Sequence, residues 1–108
     1  MSELVIVVDD EMFEQEVLGS ELPVIVDYSA PWCGPCKMQL PILEEFAAAH
    51  IGKVKVVKVD TDDSPKTASR YGIRSIPTLM LFSAGQRLDT KIGLTTFAAL
   101  GEMLKKVS

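Results

Sequence analysis

The chain has 108 residues, 47% of them apolar and 24% charged, with a formal net charge of −4. That is enough for one domain around one core, and it excludes both a disordered tail and a disulfide-dense miniprotein. Lys and Arg form no basic face, which argues against nucleic acid and for protein partners. No apolar run approaches the length of a membrane span, and Leu4-Val5-Ile6-Val7-Val8 lacks the preceding basic region of a signal peptide. A cytoplasmic protein that does not enter membranes is the expectation.

Taken in chain order, residues 3–8 read as a short strand closed by Asp9-Asp10. A helix is expected from about Glu11 to Leu18, an aspartate capping its first turn. Pro23 to Tyr28 is apolar on both faces, the pattern of a central strand. After Ser29-Ala30-Pro31-Trp32-Cys33-Gly34-Pro35-Cys36, a helical pattern runs from about Cys36 to Ala49, with Pro41 expected to kink it. Val54 to Asp60 reads as a strand, and residues 65–71 as a short helix started by Ser64-Pro65. Thr78 to Phe82 and Arg87 to Ile92 are two strands of a hairpin turning through Ser83-Ala84-Gly85-Gln86. Thr95 or Thr96 caps a last helix running to about Val107. The order βαβαβαββα over a single domain, residues 1–108, predicts an α/β fold with a mixed central sheet and helices on both faces.

The chain has two cysteines, Cys33 and Cys36, so a long-range disulfide framework is impossible. They sit where a buried strand ends and a helix begins, the place where α/β sheets put reaction sites. Residues three apart at a helix start share a face, close enough for their sulfurs to bond. Cys33, at the helix edge, is favoured as an anion by free backbone N–H groups and the helix dipole, and is expected to be the attacking thiolate. Cys36, one turn inside and more covered, is expected to stay protonated until it attacks a mixed disulfide. Pro35 suits a first helical turn, which has no use for its missing N–H. The bland alternative is half a zinc site, but only His50 remains as a further usual nitrogen or sulfur donor, and a closed site needs four ligands. His50 reads as a plain surface residue.

Asp27 closes the apolar run Val24-Ile25-Val26, so its carboxylate is expected to be buried behind the cysteines with a raised pKa. Lys58 shares a strand face with Val54 and Val56 by period-two counting, and Asp27 is its expected partner, although a lysine stem can also snorkel to solvent. Asp27 is assigned as the base that takes the Cys36 proton through a water, tuned by Lys58. In Ser75-Ile76-Pro77-Thr78, a proline opens a strand; from the residues alone a trans turn is the default and a cis bond the alternative.

Val26-Asp27, Trp32-Cys33-Gly34-Pro35-Cys36-Lys37-Met38, Pro41-Ile42-Leu43, Lys58-Val59-Asp60, Tyr71-Gly72-Ile73-Arg74, Ile76-Pro77-Thr78 and Lys91-Ile92-Gly93 together resemble the thioredoxin family over essentially the whole chain. The resemblance implies the thioredoxin fold with a five-stranded sheet. It implies Cys33 as nucleophile, Cys36 as resolving thiol, Asp27 as buried acid with Lys58 beside it, and Pro77 as a cis-proline next to the disulfide. The Ile76 backbone would be free to pair with an extended substrate. Trp32, Ile76 and Gly93 would form an apolar contact surface around Gly34 and Pro35. It further implies thioredoxin reductase as electron donor, disulfide-containing proteins as clients, a monomer, and no cofactor beyond the Cys33–Cys36 couple. Tyr28-Ser29 departs from the Phe-Trp pair of many bacterial members and removes packing behind the active-site loop.

The functional expectation is a general protein dithiol–disulfide oxidoreductase acting as a reductant. Gly34-Pro35 resembles the reducing members, where oxidising or isomerising ones commonly carry a histidine. A scaffold that uses the Trp32 surface without redox turnover is the reading of another class, and retention of both cysteines argues against it.

Overall fold

The computed structural model describes residues 4–107. Strands β1 (Val5–Val7), β2 (Val24–Ser29), β3 (Lys55–Asp60), β4 (Thr78–Ser83) and β5 (Gln86–Ile92) form one sheet in the order β1-β3-β2-β4-β5. β1, β3 and β2 run parallel, and β4 and β5 are antiparallel to their neighbours. Helices α1 (Gly34–Ala49), α2 (Pro65–Arg70) and α3 (Phe97–Leu104) and a π-helical turn, Glu14–Leu18, complete the expected βαβαβαββα order. The first residue of the expected opening strand, Glu3, lies outside the described residues.

β2 is central because its side chains have no polar face to offer: all six residues from Val24 to Ser29 are buried. Alternate residues face opposite ways, and each face has its own core. Ile25, Val56, Leu79 and Leu81 pack under α1 and α3 through Leu43, Phe46, Leu100 and Met103. Val24, Val26, Tyr28, Val57 and Met80 pack on the other face with Phe13, Val17, Tyr71 and Ile73. β1 and β5 are the two edges, and β5 is exposed along most of its length.

Several local differences from the sequence expectation have physical causes. The helix expected from Glu11 is regular only over Glu14–Leu18 and is π-helical, with the Gly19 N–H donating to the Glu14 carbonyl at 2.8 Å. Asp9 still caps this region, its carboxylate accepting from the Met12 N–H. α1 starts at Gly34, two residues before the expected Cys36, because Cys33 itself is the cap and Pro35 falls in the first turn. The helix continues through Pro41. Ser64 does not cap α2 with its side chain; the Asp10 carboxylate does so from the other end of the chain, accepting from the backbone N–H groups of Lys66 and Thr67 and the Thr67 hydroxyl. The hairpin turns through Ala84 and Gly85, both left-handed at φ 52° and 79°, the pair that matches strand twist. His50 is half-buried and stacks on Phe46 with ring centroids 4.1 Å apart, rather than standing free on the surface.

One buried amide ties the two ends of the site together. Gln39 on α1 is fully buried; its Nε2 donates to the Thr95 carbonyl at 2.9 Å and its Oε1 accepts from the Thr95 N–H at 2.7 Å. Truncation would leave two backbone groups unpaired in a dry setting, each costing about 1–3 kcal/mol. Gln39→Ala is therefore expected to lower the unfolding free energy by about 3 kcal/mol in urea titrations, well beyond the value for an exposed α1 position such as Glu45→Ala.

Candidate functional site

β2 ends at Ser29, the chain turns through Pro31 and Trp32, and α1 begins. Cys33 occupies the cap with extended backbone angles, and its sulfur accepts the Cys36 N–H at 3.2 Å. A sulfur thus stands where a Ser or Asp oxygen usually caps a helix, and it satisfies one N–H of the first turn. Cys33 and Cys36 are joined as a disulfide, their Cα atoms 5.3 Å apart. Cys36 was expected to be the more covered of the two, but they are equally buried, at 5% and 6% exposure. The reason is the loop before β4: the Cys33 sulfur lies 3.8 Å from the Ile76 carbonyl, which covers it from the side.

That loop contains a cis Ile76–Pro77 bond. The Pro77 carbonyl accepts the Gly93 N–H at 2.8 Å, and Gly93 has φ 93°, a left-handed angle that favours glycine. Gly93 is held from its other side through Thr95 and Gln39. Ile76, Pro77 and Gly93 are in this way set beside the disulfide by hydrogen bonds that lead back to α1.

Trp32 is 70% exposed, and its indole N–H donates to Asp62 Oδ2 at 3.0 Å, which fixes the ring across the loop after β3. Gly34 and Pro35 are exposed beside it. Sequence reasoning did not find Asp62, Gln39 or Thr95, nor the exposed Ile92 next to Gly93. Asp62 lies 30 positions from Trp32 and Thr95 56 from Gln39, so no local pattern marks either pair.

Asp27 is completely buried, and neither carboxylate oxygen has a hydrogen-bond partner among the described residues. Burial pushes its pKa up to about 7, while the positive charge of Lys58 pulls the other way. Asp27 and Lys58 are direct partners in the β2–β3 register, on the face shared with Val56. They form no ion pair, and Lys58 is half-buried. Lys58, Cys36, Ala30 and Leu40 line a cavity of about 200 Å³, several times the room one water needs.

No group of three or more His, Cys, Asp or Glu among the described residues could hold a metal, and no helix is long and apolar enough to cross a membrane. A helix-capping disulfide at the carboxyl end of a central parallel strand, with a proline loop against the sulfur, defines a dithiol–disulfide oxidoreductase built on a mixed α/β sheet. Comparison with known proteins agrees. The family model Thioredoxin matches residues 4–106. Thioredoxin 1 of Nostoc sp. is 54% identical over 99 residues, covering 92% of each chain. Thioredoxin of Synechocystis sp. is 54% identical over the same length, again 92% of each chain. The M-type chloroplastic thioredoxin of Pisum sativum is 51% identical over 100 residues, 93% of this chain and 58% of its own. The chain belongs to the thioredoxin family. It has the thioredoxin fold and is a protein disulfide oxidoreductase whose redox-active couple is Cys33–Cys36.

The buried acid makes stability depend on pH. Asp27 in the fold has a pKa of about 7 against an ordinary 3.8, so the native state holds its proton more tightly than the unfolded chain. The contribution is fully present below about pH 4 and is lost as pH rises through 7. Three units amount to about 4 kcal/mol at most. Urea unfolding of the oxidised protein is expected to show lower stability at pH 8 than at pH 5 by a few kcal/mol. Asp27→Ala is expected to flatten that slope and to be the more stable protein at pH 8; a variant that is weaker at both pH values would refute the assignment.

Proposed function

We propose that the chain is a general reductant of protein disulfides, recharged by thioredoxin reductase. It would act as a monomeric single domain spanning residues 1–108, in the cytoplasm, without a metal or an added cofactor. The observation that carries this reading is the Cys33 sulfur in the cap of α1, accepting a backbone N–H at 3.2 Å. The same N–H and the helix dipole favour a thiolate there once the disulfide is opened.

The reaction then follows from the order of the two sulfurs. The Cys33 thiolate attacks one sulfur of a client disulfide, forming a mixed disulfide and releasing one client thiolate. Asp27 takes the proton of Cys36, through water in the cavity that Cys36 and Lys58 line. A base with a pKa of about 7 exchanges protons readily near neutral pH. Lys58 tunes that acid by lowering its pKa. The Cys36 thiolate attacks the Cys33 sulfur, releases the second client thiolate and closes the Cys33–Cys36 disulfide. Two electrons have passed from the dithiol to the client. Pro77 keeps the Ile76 backbone beside the sulfur, where an extended client segment could pair with it. Trp32, Gly34, Pro35, Ile76 and Gly93 form the surface against which the client lies. The direction rests on Gly34-Pro35 between the cysteines, with no histidine there to favour the oxidised partner.

Insulin reduction by dithiothreitol is expected to be accelerated by the protein and not by Cys33→Ser, while Cys36→Ser accumulates a mixed disulfide with the insulin chains. Equal turbidity curves for wild type and Cys33→Ser would overturn the enzyme reading. Alkylation of the reduced protein by iodoacetamide is expected to titrate at Cys33 well below the ordinary thiol pKa of about 8.5. A redox titration against glutathione that placed the couple among strongly oxidising proteins would reverse the direction.

A further inference from the structure

The chain has three arginines, Arg70, Arg74 and Arg87, against an overall charge of −4. Two of them, Arg74 and Arg87, line a single cavity of about 180 Å³ together with the ring of Tyr71 and the residues Ser75, Thr78 and Thr90. Strand register brings this about: Thr90 lies opposite Met80 and Ile92 opposite Thr78, and a register shift between Leu81 and Phe82 sets Arg87 opposite Phe82, on the same side of the exposed edge strand β5. Arg74 arrives from the loop that leads to Ile76–Pro77. No carboxylate lines the cavity, and neither arginine takes part in an ion pair among the described residues. The third, Arg70, lies over the Tyr71 ring, 5.3 Å from its centre.

Below this face the Tyr28 hydroxyl is fully buried with no hydrogen-bond partner among the described residues. Burial raises its pKa, and Tyr71 adds to the effect while Arg87 and Arg70 oppose it, so the phenol lies within electrostatic range of the cavity's residues. The cavity also borders the client surface. Ser75 and Thr78 flank Ile76–Pro77, and Ile92 precedes Gly93. Two unpaired guanidinium groups, hydroxyls and the absence of any competing acid make a receptor for a carboxylate.

We propose that Arg74 and Arg87 form a subsite that selects client segments carrying an acidic residue next to the disulfide. This rests on the reading of Ile76–Pro77 as the client-docking loop and adds a chemical preference to it. A client strand laid along Ile76 would place a neighbouring Asp or Glu over the cavity, where its carboxylate meets both guanidinium groups. The attraction acts on encounter and binding, not on the sulfur chemistry, so it belongs in KM and in the association rate.

The test uses two peptides, each closed by one disulfide and identical except for Glu or Gln beside the cysteines. The pre-reduced protein is expected to reduce the Glu peptide about tenfold more efficiently at low salt, a difference of about 1.4 kcal/mol, with the gain in KM. The ratio is expected to shrink as salt rises and to fall near one in Arg74→Gln/Arg87→Gln, while Arg74→Lys/Arg87→Lys retains part of it. A ratio of one in the wild type, or an undiminished ratio in the double Gln variant, would overturn the subsite. Were neither peptide reduced, the oxidoreductase direction would fall instead. The subsite would then be decided by titrating a Cys→Ser version of the Glu peptide and following the backbone amide signals of Arg74, Ser75 and Thr90: shifts support it and their absence overturns it.

Discussion

A helix that begins at a sulfur couples two demands that are met separately in most proteins. The first turn of α1 needs an acceptor for its free N–H groups, and the Cys33 sulfur supplies it at 3.2 Å from the Cys36 nitrogen. On the proposed mechanism, opening the disulfide leaves that acceptor in place as a thiolate, so the group that caps the helix would also be the attacking group. Displacing α1 by a fraction of an ångström would weaken both at once. The rest of the site reads as a set of restraints on that helix end. Gln39, one turn after Cys36, grips Thr95; Thr95 adjoins Gly93, whose N–H holds the Pro77 carbonyl; and Ile76, next to Pro77, covers the Cys33 sulfur. The hydrogen bonds run from α1 to the Pro77 carbonyl, and the Ile76 carbonyl lies 3.8 Å from the Cys33 sulfur at the cap of the same helix.

The second constraint is the carboxylate inside the sheet. β2 is buried on both faces, and the Asp27 side chain is buried with it. An apolar residue of similar size would make a better core, which is why the acid is expected to weaken the fold above its own pKa. Lys58, its register partner on β3, moderates the cost from a distance without forming an ion pair. Both oxygens of Asp27 lack partners. That combination keeps the proton affinity near neutral, since a close ion pair would lower the pKa into the ordinary range and full isolation from charge would raise it further.

The parts of this arrangement that the sequence displayed are those carried by one segment. Trp32 to Cys36 at a strand–helix junction, the apolar run that closes on Asp27, and the period-two placing of Lys58 each need only a few neighbours to interpret. What stayed hidden is long-range or depends on a neighbour's shape. Gln39 looks like a polar residue on an amphipathic helix until Thr95, 56 positions away, is found against it. Asp10 looks like part of a turn until α2 docks its first N–H groups on it. The equal burial of the two cysteines could not be read from helix position, because the cover over Cys33 comes from Ile76, far along the chain. The first helix differs for another reason: its apolar positions Phe13 and Val17 satisfy the helical period equally well, and the π turn shows only in a backbone bond, from the Gly19 N–H to the Glu14 carbonyl, that no side-chain pattern marks.

Chemistry and recognition are divided between different layers of the fold. The reacting sulfurs, the buried acid and the helix restraints lie on β2 and α1, where each residue is packed on several sides and a substitution propagates. The surfaces proposed to meet a client lie on the loop before β4 and along β5, an edge strand that is exposed through most of its length. Edge residues such as Arg87 and Thr90 can change without disturbing the core beneath Phe82 and Met80, because their side chains contribute little to its packing. A family sharing one redox reaction can therefore vary its client choice at these positions at little cost in stability, while the capped sulfur one strand and one loop away keeps the same geometry. On this division, the proposed recognition role of Arg74 and Arg87 fits their place: among the described residues they have no ion-pair partner, and they lie on the exposed surface rather than in the core.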